Sequence, residues 1–176
     1  MKNILVFAGS NSKVSINKQL AIYAGSLIEE AKLTVLDLND FNLPIYGIDL
    51  ENEEGIPKAA EVFLEHIKST DGVILSLAEH NGAYTTVFKN LLDWLSRIDN
   101  KLWQNKPMLL MATSPGGRGG QSVLEIAKDR FPRHDANVVA TFSLPSFNDN
   151  FSEKGIKDET LNKTLTQAIN IFKESL

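Results

Sequence analysis

Ile4-Leu5-Val6-Phe7-Ala8-Gly9-Ser10 is an unbroken apolar run closed by a glycine–serine pair, and the residues after it change period. An apolar run without polar alternation is the pattern of a strand buried on both faces. From residue 16 onward Ile16, Leu20, Tyr23, Ala24, Leu27, Ile28 and Ala31 recur at helical spacing, which predicts an amphipathic helix over 16–31. The same unit repeats down the chain. Apolar runs at 33–38, 72–77, 108–112 and 138–142 predict four more strands, and helical spacing fills 57–69, 85–98, 119–131 and 158–175. Residues 39–55, with Pro44, Gly47 and Gly55, read as a long connection. Strict alternation of strand and helix implies right-handed crossovers and an α/β fold, a five-stranded parallel sheet with helices on both faces. Five strands suit the doubly wound order 2-1-3-4-5, in which ligands bind beyond the carboxyl ends of the strands. The loops at 9–17, 78–85 and 114–120 are therefore where chemistry is expected.

Composition narrows the classes. The chain has 176 residues, 43% hydrophobic and 23% charged, which fits one domain over 1–176 and excludes a disordered chain. Its 18 basic and 22 acidic residues give a charge of −4 with no block of either sign, so no nucleic-acid partner is expected. The absence of cysteine removes disulfides, thiol nucleophiles and cysteine-ligated metals. His66, His80 and His134 lack ligand spacing, so no metal is expected either. No segment approaches the roughly 18 apolar residues of a spanning helix, and the first apolar run is too short for a secretory leader. A cytoplasmic protein without membrane partners is the expectation.

The loop Gly9-Ser10-Asn11-Ser12-Lys13-Val14-Ser15-Ile16-Asn17 sets hydroxyls and carboxamides at a helix N-terminus, where unpaired N–H groups and the helix dipole attract anions. A serine N-cap on a polar lead-in would give a similar pattern. GxGxxG and GxxxxGK[ST] spacings are both absent, which favours a mononucleotide phosphate over a pyrophosphate or nucleoside triphosphate. The third loop reads Ala78-Glu79-His80-Asn81-Gly82-Ala83-Tyr84, and the fourth Ser114-Pro115-Gly116-Gly117-Arg118-Gly119-Gly120. Four glycines within five residues let backbone approach a flat ligand, although a mobile turn has the same composition. His80 reads as a polar group at the cleft rim, and Arg118 as a cation able to meet a carboxylate or phosphate. Asp93 and Arg97, four apart, read as a helix-face ion pair. Trp94 reads as a packing residue within or between subunits. No GxSxG elbow accompanies the serines, so no hydrolytic triad is expected.

Taken together these blocks resemble the NAD(P)H-dependent FMN reductases of flavodoxin-like fold, a family that includes chromate, quinone and azo-dye reductases. Gly9-Ser10-x-Ser12-x-x-Ser15-x-Asn17 is similar to the family's GSxRxxSxN loop. Glu79-His80-Asn81-Gly82, followed by Phe88-Lys89-Asn90-Leu91-Leu92-Asp93-Trp94-Leu95-Ser96-Arg97, resembles PEYNG…LKNAIDWxSR. Ser114-Pro115-Gly116-Gly117-Arg118-Gly119-Gly120 is similar to SPGGxGG, and Leu43-Pro44-Ile45-Tyr46 to LPxY. The resemblance implies a flavodoxin-like three-layer sandwich that binds FMN, takes electrons from NADPH or NADH, and passes them to a quinone, azo compound, metal oxyanion or free flavin. It places the FMN phosphate on Ser10, Ser12, Ser15, Ile16 and Asn17. Glu79, His80, Asn81 and Gly82 would edge the isoalloxazine, with Ser114, Pro115, Gly116 and Gly117 on its other side. No catalytic acid or base is nominated, since the cofactor carries the chemistry. It also implies a homodimer or homotetramer, with Trp94 and its helix as the contact surface. Ser12 stands where the family has arginine, and Ala78 and His80 where it has proline and tyrosine, which implies looser FMN retention. Two other classes share the architecture: a flavodoxin-type electron carrier, and a cofactor-free binding module.

Overall fold

The computed structural model describes residues 1–176. Its elements run β1 (Lys2–Gly9), α1 (Ile16–Ser26), β2 (Ala31–Val35), α2 (Ile48–Glu54), α3 (Lys58–Lys68) and β3 (Gly72–Leu77). A short hairpin, β4 (Glu79–His80) and β5 (Ala83–Tyr84), leads to α4 (Thr86–Ile98), β6 (Pro107–Thr113) and α5 (Gln121–Arg130). The chain ends with β7 (Asn137–Leu144), α6 (Phe147–Asn150), a second hairpin β8 (Phe151–Ser152) and β9 (Gly155–Ile156), and α7 (Glu159–Glu174). Five strands form one sheet in the order β2-β1-β3-β6-β7, every neighbour parallel. Leaving the hairpins aside, this is the expected 2-1-3-4-5 winding. No helix is long and apolar enough to cross a membrane.

The continuous apolar runs follow from burial on both faces. Along β1, Leu5 and Phe7 join a core with α3, α4 and α5, while Ile4 and Val6 join a second core with α1 and α7. Every residue of β3 is buried. The sheet is thus the middle layer of a three-layer sandwich.

Three expectations on the elements need correction. Helix α1 ends at Ser26 rather than 31, because β2 must begin at Ala31 to pair with Lys2. The apolar period runs on, but Leu27 is exposed and Ile28 is buried beneath the turn. The second strand therefore occupies 31–35, and the carboxylate of Asp37 caps a single 3-10 turn at Leu38–Asp40. The 39–55 connection contains α2, which buries no residue. With no apolar stripe it has no periodic signature; Leu50 packs part-buried against the core, and polar contacts hold the rest of the segment.

Those contacts come from α4 and overturn the reading of its charges. Asp93 pairs with Lys89 at 2.6 Å, not with Arg97, and Arg97 reaches across to Glu51 of α2 at 2.8 Å. Asn90, Trp94 and Arg97 lie on one face of α4 and clamp the 43–51 segment. The Asn90 carboxamide donates to Pro44 O and accepts from Tyr46 N, and Trp94 Nε1 donates to Pro44 O at 2.7 Å. Trp94 is fully buried and meets Tyr46 edge-on at 5.0 Å, so it packs within the chain and offers no surface to a second copy.

Candidate active-site cleft

The carboxyl ends of β1, β3 and β6 open into a cleft of about 240 Å³ that the three loops line together. Ser10, Ser12, Ser15, Ile16 and Asn17 enter from the first loop, Glu79 and His80 from the third, and Ser114 and Pro115 from the fourth. Asn81, Gly82, Gly116 and Gly117 are not among the lining residues. Ala78, which the sequence marks only as a departure from the family's proline, completes the lining with Val14 and Thr113, which it does not single out.

The first loop is built to donate hydrogen bonds. Ser10 Oγ accepts from Ser12 N at 3.1 Å, Ser12 Oγ from Val14 N at 3.3 Å, and Ser15 Oγ, the N-cap of α1, from Lys18 N at 3.1 Å. A hydroxyl carries one proton and accepts through its oxygen, so each serine keeps that proton for a group in the cleft. The N–H groups of Ile16 and Asn17 occupy the first turn of α1 and find no acceptor within the chain. Hydroxyls, free N–H groups and the positive end of a helix dipole converge there, a donor set that suits a phosphate. No lysine or arginine lines the cleft. Lys13 is exposed beside it, and the Lys18 ammonium is taken by Asp37, whose carboxyl this bond holds below its ordinary value.

Asn17 has a task in the scaffold besides any contact with a ligand. Its carboxamide is buried: Oδ1 accepts from Ser76 Oγ at 2.7 Å and Thr113 N at 3.0 Å, and Nδ2 donates to Thr113 O at 3.1 Å. The side chain pins the start of α1 to β3 and β6. The backbone N–H of Asn17 and the second Nδ2 proton have no acceptor within the chain.

Glu79 also serves the scaffold. Helix α5 starts at Gly120, which has no side chain to cap it, and Glu79 Oε2 accepts from Val123 N at 2.9 Å instead. A carboxylate at a helix N-terminus is favoured by the dipole as well as by the hydrogen bond. The bond ties the third loop to the fourth. Asn81 and Gly82 both have positive φ, 52° and 76°, and form the two-residue turn of the β4–β5 hairpin. Asn-Gly is the usual sequence of such a turn, a signal in the sequence that points to structure before ligand. The four glycines divide the same way. A Cβ on Gly119 would fall 2.4 Å from Ser143 Oγ, whereas nothing lies within 4 Å of one on Gly117 and only Ser114 Oγ, at 3.9 Å, near one on Gly116. Gly119 packs the loop onto β7 and Gly120 packs it onto β6, where a Cβ would fall 2.9 Å from that of Ala112; the first pair leave open space. Thr85 closes the arrangement by donating to Gly9 O at 2.8 Å, joining the start of α4 to the first loop.

Comparison with known proteins agrees with this geometry. The family model described as NADPH-dependent FMN reductase matches residues 2–149. Quinone reductase of Escherichia coli strain K12 is 32% identical over 122 residues, 66% of this chain and 62% of that protein. The chain thus spans less than two thirds of the length of this relative. Among solved structures, FerB, a flavoenzyme NAD(P)H:(acceptor) oxidoreductase from Paracoccus denitrificans, superposes with a TM-score of 0.78 at 24% identity, covering 99% of this chain and 97% of that one. Oxidised flavodoxin 1 from Bacillus cereus gives 0.59 at 19% identity, covering 100% and 99%. Both show the flavodoxin-like fold. With the family model spanning nearly the whole sheet and all three cleft loops, the chain belongs to the NADPH-dependent FMN reductase family.

Proposed function

We propose that residues 1–176 form a single-domain NAD(P)H-dependent flavin oxidoreductase that holds FMN in this cleft and serves a quinone, azo compound, metal oxyanion or free flavin as acceptor. The observation that carries the reading is the donor set at the start of α1, hydroxyl protons and first-turn N–H groups that find no acceptor within the chain and suit a phosphate monoester. Bound FMN would supply the redox chemistry, taking hydride from the nicotinamide and releasing electrons to the acceptor. The chain's own residues bind and orient. The hydroxyls of Ser10, Ser12 and Ser15 and the N–H groups of Ile16 and Asn17 meet the phosphate. Ala78, Glu79 and His80 border the ring on one side, with Ser114, Pro115, Gly116 and Gly117 on the other, and the Glu79–Val123 and Thr85–Gly9 bonds hold these borders in place. A phosphate met only by neutral donors is held less firmly than one gripped by a guanidinium fork, in keeping with Ser12 in the arginine's position. A cytoplasmic setting and a homodimer or homotetramer accompany the proposal, with a contact surface other than Trp94.

An anaerobic absorbance titration tests it. Protein loaded with FMN receives NADPH or NADH in small steps, and bleaching of the bound flavin is the expected result. Flavin that binds but is not bleached would make the chain an electron carrier. Failure to bind flavin would remove the proposal.

A further inference from the structure

Arg118 has no task in the cleft, although the loop that borders the cleft carries it. Ser114 and Pro115 line the cavity, and Gly116, Gly117 and Arg118 follow them directly, all three exposed. Three peptide units keep the Arg118 backbone within about 11 Å of Pro115. Its mount is fixed. Ser146 N donates to Gly116 O and Phe147 N to Ser114 O, both at 3.0 Å, and Ser143 Oγ donates to Gly119 O at 2.9 Å. The Arg118 carbonyl accepts from Gln121 N at 3.0 Å and closes the turn into α5. Nothing lies within 4 Å of a Cβ on Gly117, so a ligand leaving the cleft over this loop meets open backbone on its way to Arg118.

The guanidinium is steered without being neutralised. Its one hydrogen bond runs to Ser122 Oγ at 3.0 Å, and no carboxylate pairs with it, whereas Arg97 and Arg133 are taken by Glu51 and Asp129. Four of its five N–H donors are left for a group from outside. Lys18 is likewise spent, on Asp37. Lys13 is the other unpaired cation beside the cleft, but it is a point charge on the loop whose neutral donors already suit one phosphate.

From this placement we infer that Arg118 selects the electron donor: its guanidinium meets the 2′-phosphate of NADPH, the one group that NADH lacks. The inference rests on the reading of the cleft as the flavin site and concerns the nucleotide that reduces the flavin there. A cavity of about 240 Å³ is smaller than the usual small-molecule pocket. A dinucleotide whose nicotinamide enters it therefore leaves its adenosine half outside, along the loops. A terminal phosphate carries a charge of about −1.5 to −2 near neutral pH and offers three free oxygens, two of which match the guanidinium fork at once. The bridging pyrophosphate has a single charge on each phosphorus and suits the fork less well.

The test compares NADP⁺ with NAD⁺, titrated calorimetrically into the full chain loaded with FMN. Neither oxidised nucleotide can reduce the flavin, so the readout is binding alone. NADP⁺ should bind about tenfold tighter than NAD⁺, the worth of one charge-assisted contact, and added salt should narrow the gap. Arg118→Ala should abolish the gap by weakening NADP⁺ while the affinity for NAD⁺ stays as it was. Arg118→Lys should restore part of it, since the charge returns without the fork. Lys13→Ala should leave the gap in place. Equal affinities in the parent chain, no binding of either nucleotide in the millimolar range, an Arg118→Ala chain that loses both nucleotides alike, or a gap that closes with Lys13→Ala would each overturn the inference. Binding of FMN, and its bleaching by either reduced nucleotide, test the reading of the cleft without comparing the two donors, so the two proposals fail separately.

Discussion

Asn17 concentrates much of the cleft's order in one side chain. Its carboxamide joins α1 to β3 and β6 through three hydrogen bonds in a buried setting. Asn17→Ala leaves the fully buried Ser76 hydroxyl and the Thr113 backbone unpaired, and should cost about 2–3 kcal/mol, read as a lower urea midpoint with an unchanged slope. The residue type was legible in the sequence, but its task was not. An asparagine beside a phosphate loop fits a ligand donor and a scaffold staple equally well, and only the positions of Ser76 and Thr113, dozens of residues away, decide. Glu79 hides its capping role for the same reason, as Val123 is 44 residues distant. A third residue carries a pH signature. The bond from Lys18 lowers the Asp37 carboxyl from its ordinary 3.8. A depressed folded-state value stabilises the fold above the unfolded value and loses that contribution as pH falls through the folded one. Stability curves between neutral pH and acid should therefore show a loss beginning near pH 4 that Asp37→Asn makes shallower.

Among the elements, β3 and α4 were the most legible and α2 the least. A buried run bounded by Gly72 and apolar except at Ser76, and an apolar stripe from Phe88 to Leu95, need no distant partner to be read. Helix α2 has no fully buried residue and adds to the packing of Leu50 the Glu51–Arg97 pair and the Tyr46–Glu51 bond, which periodicity cannot see. That bond raises the Tyr46 hydroxyl above its ordinary value, while Arg97 holds Glu51 below its own. The segment from Leu43 to Glu54 is consequently a strap fastened at a few points along α4. Asn90 is the central fastener, and Asn90→Ala should leave global stability within about 1–2 kcal/mol while exposing the strap. Limited proteolysis should then cut between residues 45 and 54 several times faster than in the parent chain, with the sheet left intact. Equal cleavage rates would show that Trp94 and Arg97 hold the strap without it. Trp94→Asp places a charge in the core and should unfold the chain; a change of oligomeric state is not its expected effect.

At the scale of the whole molecule, the winding of the sheet brings three loops, at 9–17, 78–85 and 114–120, to one cleft. That convergence was readable from strand order alone, because ligand sites in such sheets lie beyond the strand ends. The chemistry at the cleft divides along the same geometry, with a phosphate-sized donor set at α1 and open space at Gly116 and Gly117. A ligand that binds only the folded chain stabilises it by an amount set by its concentration over its dissociation constant. FMN at about a hundredfold excess over that constant should add roughly 2.7 kcal/mol and raise the melting temperature by about 5–10 °C for a domain of this size. Riboflavin has the same ring without the phosphate, so at equal concentration it should deliver only a small part of that shift. The ratio of the two shifts measures what the first loop contributes. Replacing both Ser10 and Ser15 by alanine should bring the FMN shift part of the way down to the riboflavin level and leave the riboflavin shift in place. If both shifts fell together, the serines would be holding the scaffold around the ring, and the phosphate would need another anchor.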